Sequence, residues 1–270
     1  ILSDERYRAW VVGQIKNPMV RSWWVNEFDS YDRKFAQEAI APIQNKVGQL
    51  VMTPAIRNIL GQVRSKIDFR YMMDNRKIFI ANLSKGRLGE DKANLLGAVL
   101  ITKFQLAAMS RATMPEAERN DFFLFADEFQ NFSTDSFAAI LSEARKYRLC
   151  LTLSHQYMDQ LRDDIRKAVF GNVGSIISFR VGPTDASFLE AEFGNDYVAS
   201  RFMELGNHEV CAKLLNDGHY VAPFSGTTFP PLAVNYGSRE KIIRRSRERF
   251  AISRTVIEEK IKRWLGKSLR

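Results

Sequence analysis

Two adjacent acids, Asp127 and Glu128, close the unbroken apolar run Phe122-Phe123-Leu124-Phe125-Ala126. A run of this kind reads as a strand buried on both faces, and in an open α/β sheet ligands collect outside the carboxyl ends of the strands. An aspartate at that point can hold Mg²⁺, directly or through water, and a glutamate beside it can take a proton from an attacking water. Two acids also end many strands merely because the end is wet, so the pair alone leaves both readings open. The next apolar run, Leu149-Cys150-Leu151-Thr152-Leu153, ends in the polar triplet Ser154-His155-Gln156. Neighbouring strand ends converge on one site, where Gln156 could hydrogen-bond a terminal phosphate and report its loss; the plain alternative is a helix start capped by Ser154.

Between these runs lies Glu143-Ala144-Arg145-Lys146-Tyr147-Arg148. Three cations suit the carboxyl end of a helix through the macrodipole alone. An arginine presented beside a nucleotide can also act in a neighbouring subunit as an arginine finger, and Arg145 is the first choice, with Lys146 and Arg148 as alternates. Another loop, Asn82-Leu83-Ser84-Lys85-Gly86-Arg87-Leu88-Gly89-Glu90-Asp91, follows an apolar run. Ordinary turn chemistry explains its glycines, while Lys85 and Arg87 could touch a DNA backbone.

A phosphate-binding loop needs G-x-x-x-x-G-K-[ST], because the amides of a Gly-rich turn and one lysine must surround the phosphates. Gly266-Lys267-Ser268 carries the last part of that pattern, but Ile261 stands where the first glycine belongs, and a polar amphipathic stretch precedes it instead of a buried strand. The expectation is that the chain alone neither binds nor hydrolyses ATP appreciably. Cys150, Cys211, His155, His208 and His219 have no ligand spacing, so no structural metal and no disulfide framework are expected, and a reducing, cytoplasmic setting is.

The elements that must position these residues follow from periodicity. Residues 4–70 read as helices, with Trp10, Val11 and Ile15, then Trp23, Trp24 and Phe28, then Phe35, Ala39, Ile43 and Val47 at three- and four-residue steps, punctuated by Pro18, Pro42 and Pro54. From Lys77 the pattern changes. Strands are predicted at 78–81, 122–126, 149–153 and 175–179, alternating with helices over about 91–111, 135–147 and 158–170. That order predicts right-handed βαβ units and a parallel sheet with helices on both faces. Residues 185–235 read as two short helices and a Gly- and Pro-rich stretch. Thr255-x-x-Glu258 reads as a capping box opening a last helix, after a basic helix over 239–249. The predicted organisation is an all-helical unit over 1–72, an α/β core over 73–236 and a basic helical tail over 237–270.

The chain has 270 residues, 45% of them hydrophobic, enough for a sizeable core, and no apolar run approaches the roughly 20 residues of a membrane span. Its net charge of +9 is concentrated in residues 237–270, where twelve Lys or Arg face four acids, a net +8 that leaves +1 for residues 1–236. The tail is therefore the basic element, suited to nucleic acid, acidic headgroups or a partner protein. The first residue is Ile1, from which a fragment or processed product is expected.

In combination, Ile80-Ala81-Asn82-Leu83-Ser84-Lys85-Gly86-Arg87-Leu88-Gly89, Phe125-Ala126-Asp127-Glu128-Phe129-Gln130-Asn131-Phe132, Leu141-Ser142-Glu143-Ala144-Arg145-Lys146-Tyr147 and Ser154-His155-Gln156 resemble the HerA/FtsK superfamily of P-loop ATPases. Within it they are most similar to conjugative DNA-transfer and type IV secretion coupling proteins of the TraD/TraG kind. Asn172-Val173-Gly174, Phe179-Arg180-Val181-Gly182 and Asp185-Ala186 extend the likeness. The resemblance implies a RecA-like core with a helical insertion, a hexameric ring, and ATP- and Mg²⁺-dependent movement of DNA through the central channel. It implies that Asp127 and Glu128 are the Walker B acids, that Gln156 is the sensor, that Arg145 lies in the arginine-finger region, and that the Walker A loop precedes Ile1. Relaxosome or secretion-system proteins are implied partners, with any membrane anchor outside this chain. The alternative is a catalytically inactive module that recruits DNA or protein; a conventional helicase fits less well without a second motor domain.

Overall fold

The computed structural model describes residues 1–133, 135–194, 196–231 and 236–268. The chain divides into two compact units, one of Ile1–Ile67 with Ser238–Arg270 and one of Asp68–Gly237.

Every regular element of the first unit, among its described residues, is a helix. Helix α1 (Glu5–Gln14) opens where the Asp4 carboxylate accepts the Tyr7 N–H, and α2 (Pro18–Ser22) opens on a proline with Asn17 as its cap. Proline is preorganised for a first turn and lacks the N–H that would be orphaned there, which also explains the start of α4 (Pro54–Leu60). Pro42 does not break the chain as expected, since α3 (Arg33–Met52) runs through it.

In the second unit α5 (Phe69–Asp74) leads to the loop with α6 (Lys85–Leu88) and then to α7 (Glu90–Met109). Strand β1 (Phe122–Ala126), α8 (Asp135–Glu143), β2 (Leu149–Leu153) and α9 (Asp163–Asn172) follow, and β1 and β2 pair in parallel, Phe122 opposite Leu149 and Ala126 opposite Leu153. One face of this pair makes the main core. Phe122, Ala126 and Leu149 are buried with Ile101, Phe104 and Ala108 of α7, Phe137 and Ile140 of α8, and Ile165 of α9. Helix α7 with its 3₁₀ extension, Glu90–Thr113, is long and apolar enough to cross a membrane. Here it lies under the sheet, with the Phe104 ring stacked on Phe122 at 5.4 Å.

Three expectations about the sheet are corrected. Residues 78–81 form no strand: Phe79 packs on the core, but Ile78 and Ile80 are 90% and 80% exposed. Helices do not cover both faces of β1 and β2, since Phe123 and Phe125 are 61% and 72% exposed. The fourth predicted strand, β3 (Ile176–Ser178), does not join β1 and β2 in a parallel sheet. After α10 (Pro183–Phe193) and α11 (Ala199–Met203) the chain returns as β4 (Glu209–Lys213), antiparallel to β3. A hairpin of β5 (Leu215–Asn216) and β6 (His219–Tyr220) follows, and β7 (Phe224–Thr227) pairs antiparallel with β4. The second unit is thus mixed α/β, a two-stranded parallel sheet beside small antiparallel ones. An apolar run says that a strand will be buried; it does not say which neighbour it will find.

The basic tail is not a unit of its own. Helices α12 (Arg239–Phe250) and α13 (Arg254–Ser268) belong with α1–α4: Asn58 Nδ2 donates to Glu258 Oε1 at 3.1 Å, Lys66 Nζ to Ala251 O at 3.3 Å, and the Trp264 ring meets Tyr7 edge-on at 5.6 Å. Thr255 sits inside α13, and Glu258 accepts from Arg254 and Asn58, so the predicted capping box does not form. Gly266 lies within this same helix, not in a loop between a strand and a helix.

Candidate functional site

The acids lie where the strand delivers them. The ladder of β1 and β2 continues one step past the strands, with Ser154 N–H donating to Ala126 O at 3.1 Å, and the Phe129 N–H crosses back to Ser154 O at 3.1 Å. Between these bonds the chain must turn sharply, and Glu128 does so with φ 51° and ψ 45°. That left-handed conformation costs a residue with a Cβ roughly 1–2 kcal/mol, and strain of this kind gathers at functional sites. It is held by Asn131, whose backbone N–H and side-chain Nδ2 donate to the Glu128 carbonyl at 3.1 and 3.0 Å.

Packing fixes the rest of the turn. Phe129 is fully buried, stacked on Phe137 at 5.5 Å and met edge-on by the His155 ring at 5.6 Å. Phe132 lies across Gly97 of α7 so closely that a Cβ there would stand 2.1 Å from its ring. The glycine is needed for this approach.

The two strand ends meet through side chains. Ser154 Oγ donates to Asp127 Oδ1 at 2.5 Å, and Gln156 Nε2 donates to Glu128 Oε1 at 2.8 Å. Gln130 Nε2 donates to the other oxygen, Glu128 Oε2, at 2.7 Å. Each carboxylate oxygen has a second lone pair, so Glu128 can still accept a proton or a water. Asp127 is exposed, Glu128 half-buried. His155 lies behind them, where burial holds its imidazole below the ordinary value against the opposing charges of Asp185 and Glu128. No α-helix starts at Ser154, so the capping alternative fails: its hydroxyl serves Asp127 instead.

Lys85 also comes to this edge. Its Nζ donates to Glu90 Oε1 at 2.7 Å and to Asn131 Oδ1 at 2.9 Å, which ties α6 to the residue that holds Glu128. The hydrogen bond and charge of Lys85 keep the Glu90 carboxyl below its usual range. Arg87 is exposed on α6. Arg145 is elsewhere. It stands exposed in the 3₁₀ turn Ala144–Tyr147, which precedes β2, so a full strand length of roughly 15 Å separates it from Gln156. Within one chain Arg145 cannot join Asp127 and Glu128.

Gln130 and Asn131 join the site although their sequence context gave them no role beyond membership of the stretch that carries the resemblance. Their signal was a pair of amides just after the acids, where a tight turn leaves backbone groups to satisfy. A shallow cleft of about 390 Å³ lies apart, bordered by Arg201, Glu204, Glu209 and Ser225. Arg201 is engaged there with Ser225 Oγ at 2.8 Å and over the Tyr197 ring at 4.6 Å.

Among the described residues no group of three or more His, Cys, Asp or Glu could cage a metal. Mg²⁺ does not need one: it keeps several waters and is bound by one or two carboxylates together with substrate phosphates. The exposed Asp127 carboxylate, fixed by the Ser154 hydroxyl, fits that requirement. No protein-family model matches the chain, and no curated protein is significantly similar to it.

Proposed function

We propose that this chain supplies the acid-bearing part of an ATP-driven ring motor that moves DNA, of the HerA/FtsK type and most like the coupling proteins of conjugation and type IV secretion. The observation that carries the reading is the pair of cross-strand contacts, Ser154 to Asp127 and Gln156 to Glu128, which join two parallel strand ends into one polar edge. In this reading the second unit is part of a RecA-like core. Asp127 would hold Mg²⁺, which neutralises phosphate charge when bound. Glu128, aimed by Gln130 and Gln156, takes the proton of the attacking water. Gln156 then reports the change at Glu128 to the loop that follows it. The phosphate-binding loop comes from outside these 270 residues, and Arg145 of a neighbouring copy completes the site. The partners are DNA, further copies in a hexamer, and relaxosome or secretion proteins, at the cytoplasmic side of any membrane to which the assembly is anchored.

The test is Glu128→Gln in the full-length protein. Loss of the base is expected to lower ATP turnover by about 10²–10⁴-fold while nucleotide still binds. Unchanged turnover rules the reading out.

A further inference from the structure

The roles of Asp127, Glu128 and Gln156 leave the buried charge of Asp185 unexplained. Asp185, in the first turn of α10, is 6% exposed, and its Oδ1 and Oδ2 both accept the Met158 backbone N–H at 3.2 Å. Withdrawing a carboxylate from water is costly, and the helix amino end repays only part of that. Packing does not require it either, because Ala186, Leu189 and Phe193 already supply the apolar side of α10.

What Asp185 does hold is the far end of the short segment that follows β2. Ser154, Gln156 and Tyr157 are exposed and belong to neither helix nor strand, whereas Met158 is buried in a second core of this unit, with Ala186, Leu189 and Phe193 of α10, Phe202 and Cys211. The segment is pinned at Ser154 by the ladder bonds to Ala126 and from Phe129, and at Met158 by Asp185. Gln156 lies between the pins, and its amide has to meet Glu128 Oε1 at 2.8 Å. A slack segment would carry it out of reach.

We infer that Asp185 is a positioning residue: its carboxylate fixes where the chain enters the second core and so holds Gln156 against Glu128. The inference rests on the motor reading for the role of Gln156, but the geometry can be tested without it. In the 270-residue chain, hydrogen exchange of Asp185→Ala should be about ten-fold faster at Met158, whose N–H loses its acceptor, while β2 and α10 keep their protection. In the full-length protein kcat for ATP should fall about ten-fold with KM within about two-fold, since misplacement of a positioning group acts on the chemical step. Asp185→Asn, which keeps an acceptor for the Met158 N–H, should restore most of both effects; it also serves if the alanine variant does not fold. Unaltered exchange at Met158, exchange that rises throughout α10, or wild-type kcat in Asp185→Ala overturns the inference. Glu128→Gln assayed alongside separates the failures. Lost turnover there with wild-type kcat in Asp185→Ala sinks this inference alone, and unchanged turnover in Glu128→Gln sinks the motor reading.

Discussion

Arg111 is fully buried, in the 3₁₀ turn that ends α7, and replacing it with methionine tests how the amino edge of the sheet is held. Its Nε donates to Asp74 Oδ1 at 2.9 Å, and its Nη1 donates to the carbonyls of Asn120 and Tyr147 at 2.9 and 3.0 Å. Those bonds join α5, the approach to β1 and the turn before β2. Burial pulls the Arg111 guanidinium below its usual value and Asp74 pushes it back up, and an arginine stays charged in either case. Methionine keeps an apolar stem of similar length, so the cavity term is small and the loss is electrostatic. Breaking a buried pair typically costs about 3–5 kcal/mol. Asp74 retains Arg70 and its side chain is 25% exposed, so the lower end applies, about 3 kcal/mol. For a unit of this size that is a fall in Tm of about 6–12 °C. All four tryptophans lie in the other unit, so far-UV circular dichroism must follow this transition, with tryptophan fluorescence reporting the helical unit. A shift under about 2 °C refutes the argument, because it would put the whole network below about 1 kcal/mol. Adding Asp74→Asn to Arg111→Met should cost less than the sum of the single changes, since the acid left behind is then neutral.

Gly97→Ala should lower stability by about 1 kcal/mol: the gain in helix propensity is about 1 kcal/mol, and driving the Phe132 ring away costs about 1–3 kcal/mol. Urea unfolding checks the sign, and hydrogen exchange should quicken at Glu128–Phe132, the turn that Phe132 anchors; a neutral or stabilised variant would contradict the packing. For His155, burial sets the folded pKa below the unfolded value near 6.5, so the unfolded chain binds more protons between the two and stability falls as pH drops through that window. Replacing His155 with asparagine should flatten that part of the profile below about pH 7, and a variant with the same slope as wild type would mean that His155 contributes none of it.

The strands that carry the site were legible because each is a dense apolar run ending in polar residues, and a parallel register then brings those ends together without further instruction. Helix α7 was legible for the same reason, and the observed bounds differ from the expected ones only at the ends. The antiparallel part was not. Val210-Cys211-Ala212 gives β4 only a short apolar stretch, and β5 and β6 are two residues each. One signal was present: Asp217-Gly218, with φ of 47° and 80°, is the dipeptide that a tight hairpin turn requires. Residues 78–81 misled in the opposite direction. Ile78 and Ile80 have strand composition, but composition cannot provide the neighbour whose N–H and C=O groups make a strand.

The same limit applies to the site. Side chains that act along one strand edge could be read from the sequence, since Asp127, Glu128, Ser154 and Gln156 follow directly from where β1 and β2 stop. Residues held by tertiary contact could not: Lys85 was expected on a free loop and is tied through Asn131 to the turn of Glu128, and Asp185 entered only as part of a resemblance. Arg145 is the instructive case, because its position follows from the same strand direction that assembles the acids. A parallel β-strand puts the residues before it and after it at opposite edges, so a cation preceding β2 and a glutamine following it cannot meet in one chain. A site that used both would have to draw them from different copies, so the proposed role of Arg145 stands or falls with the proposed assembly.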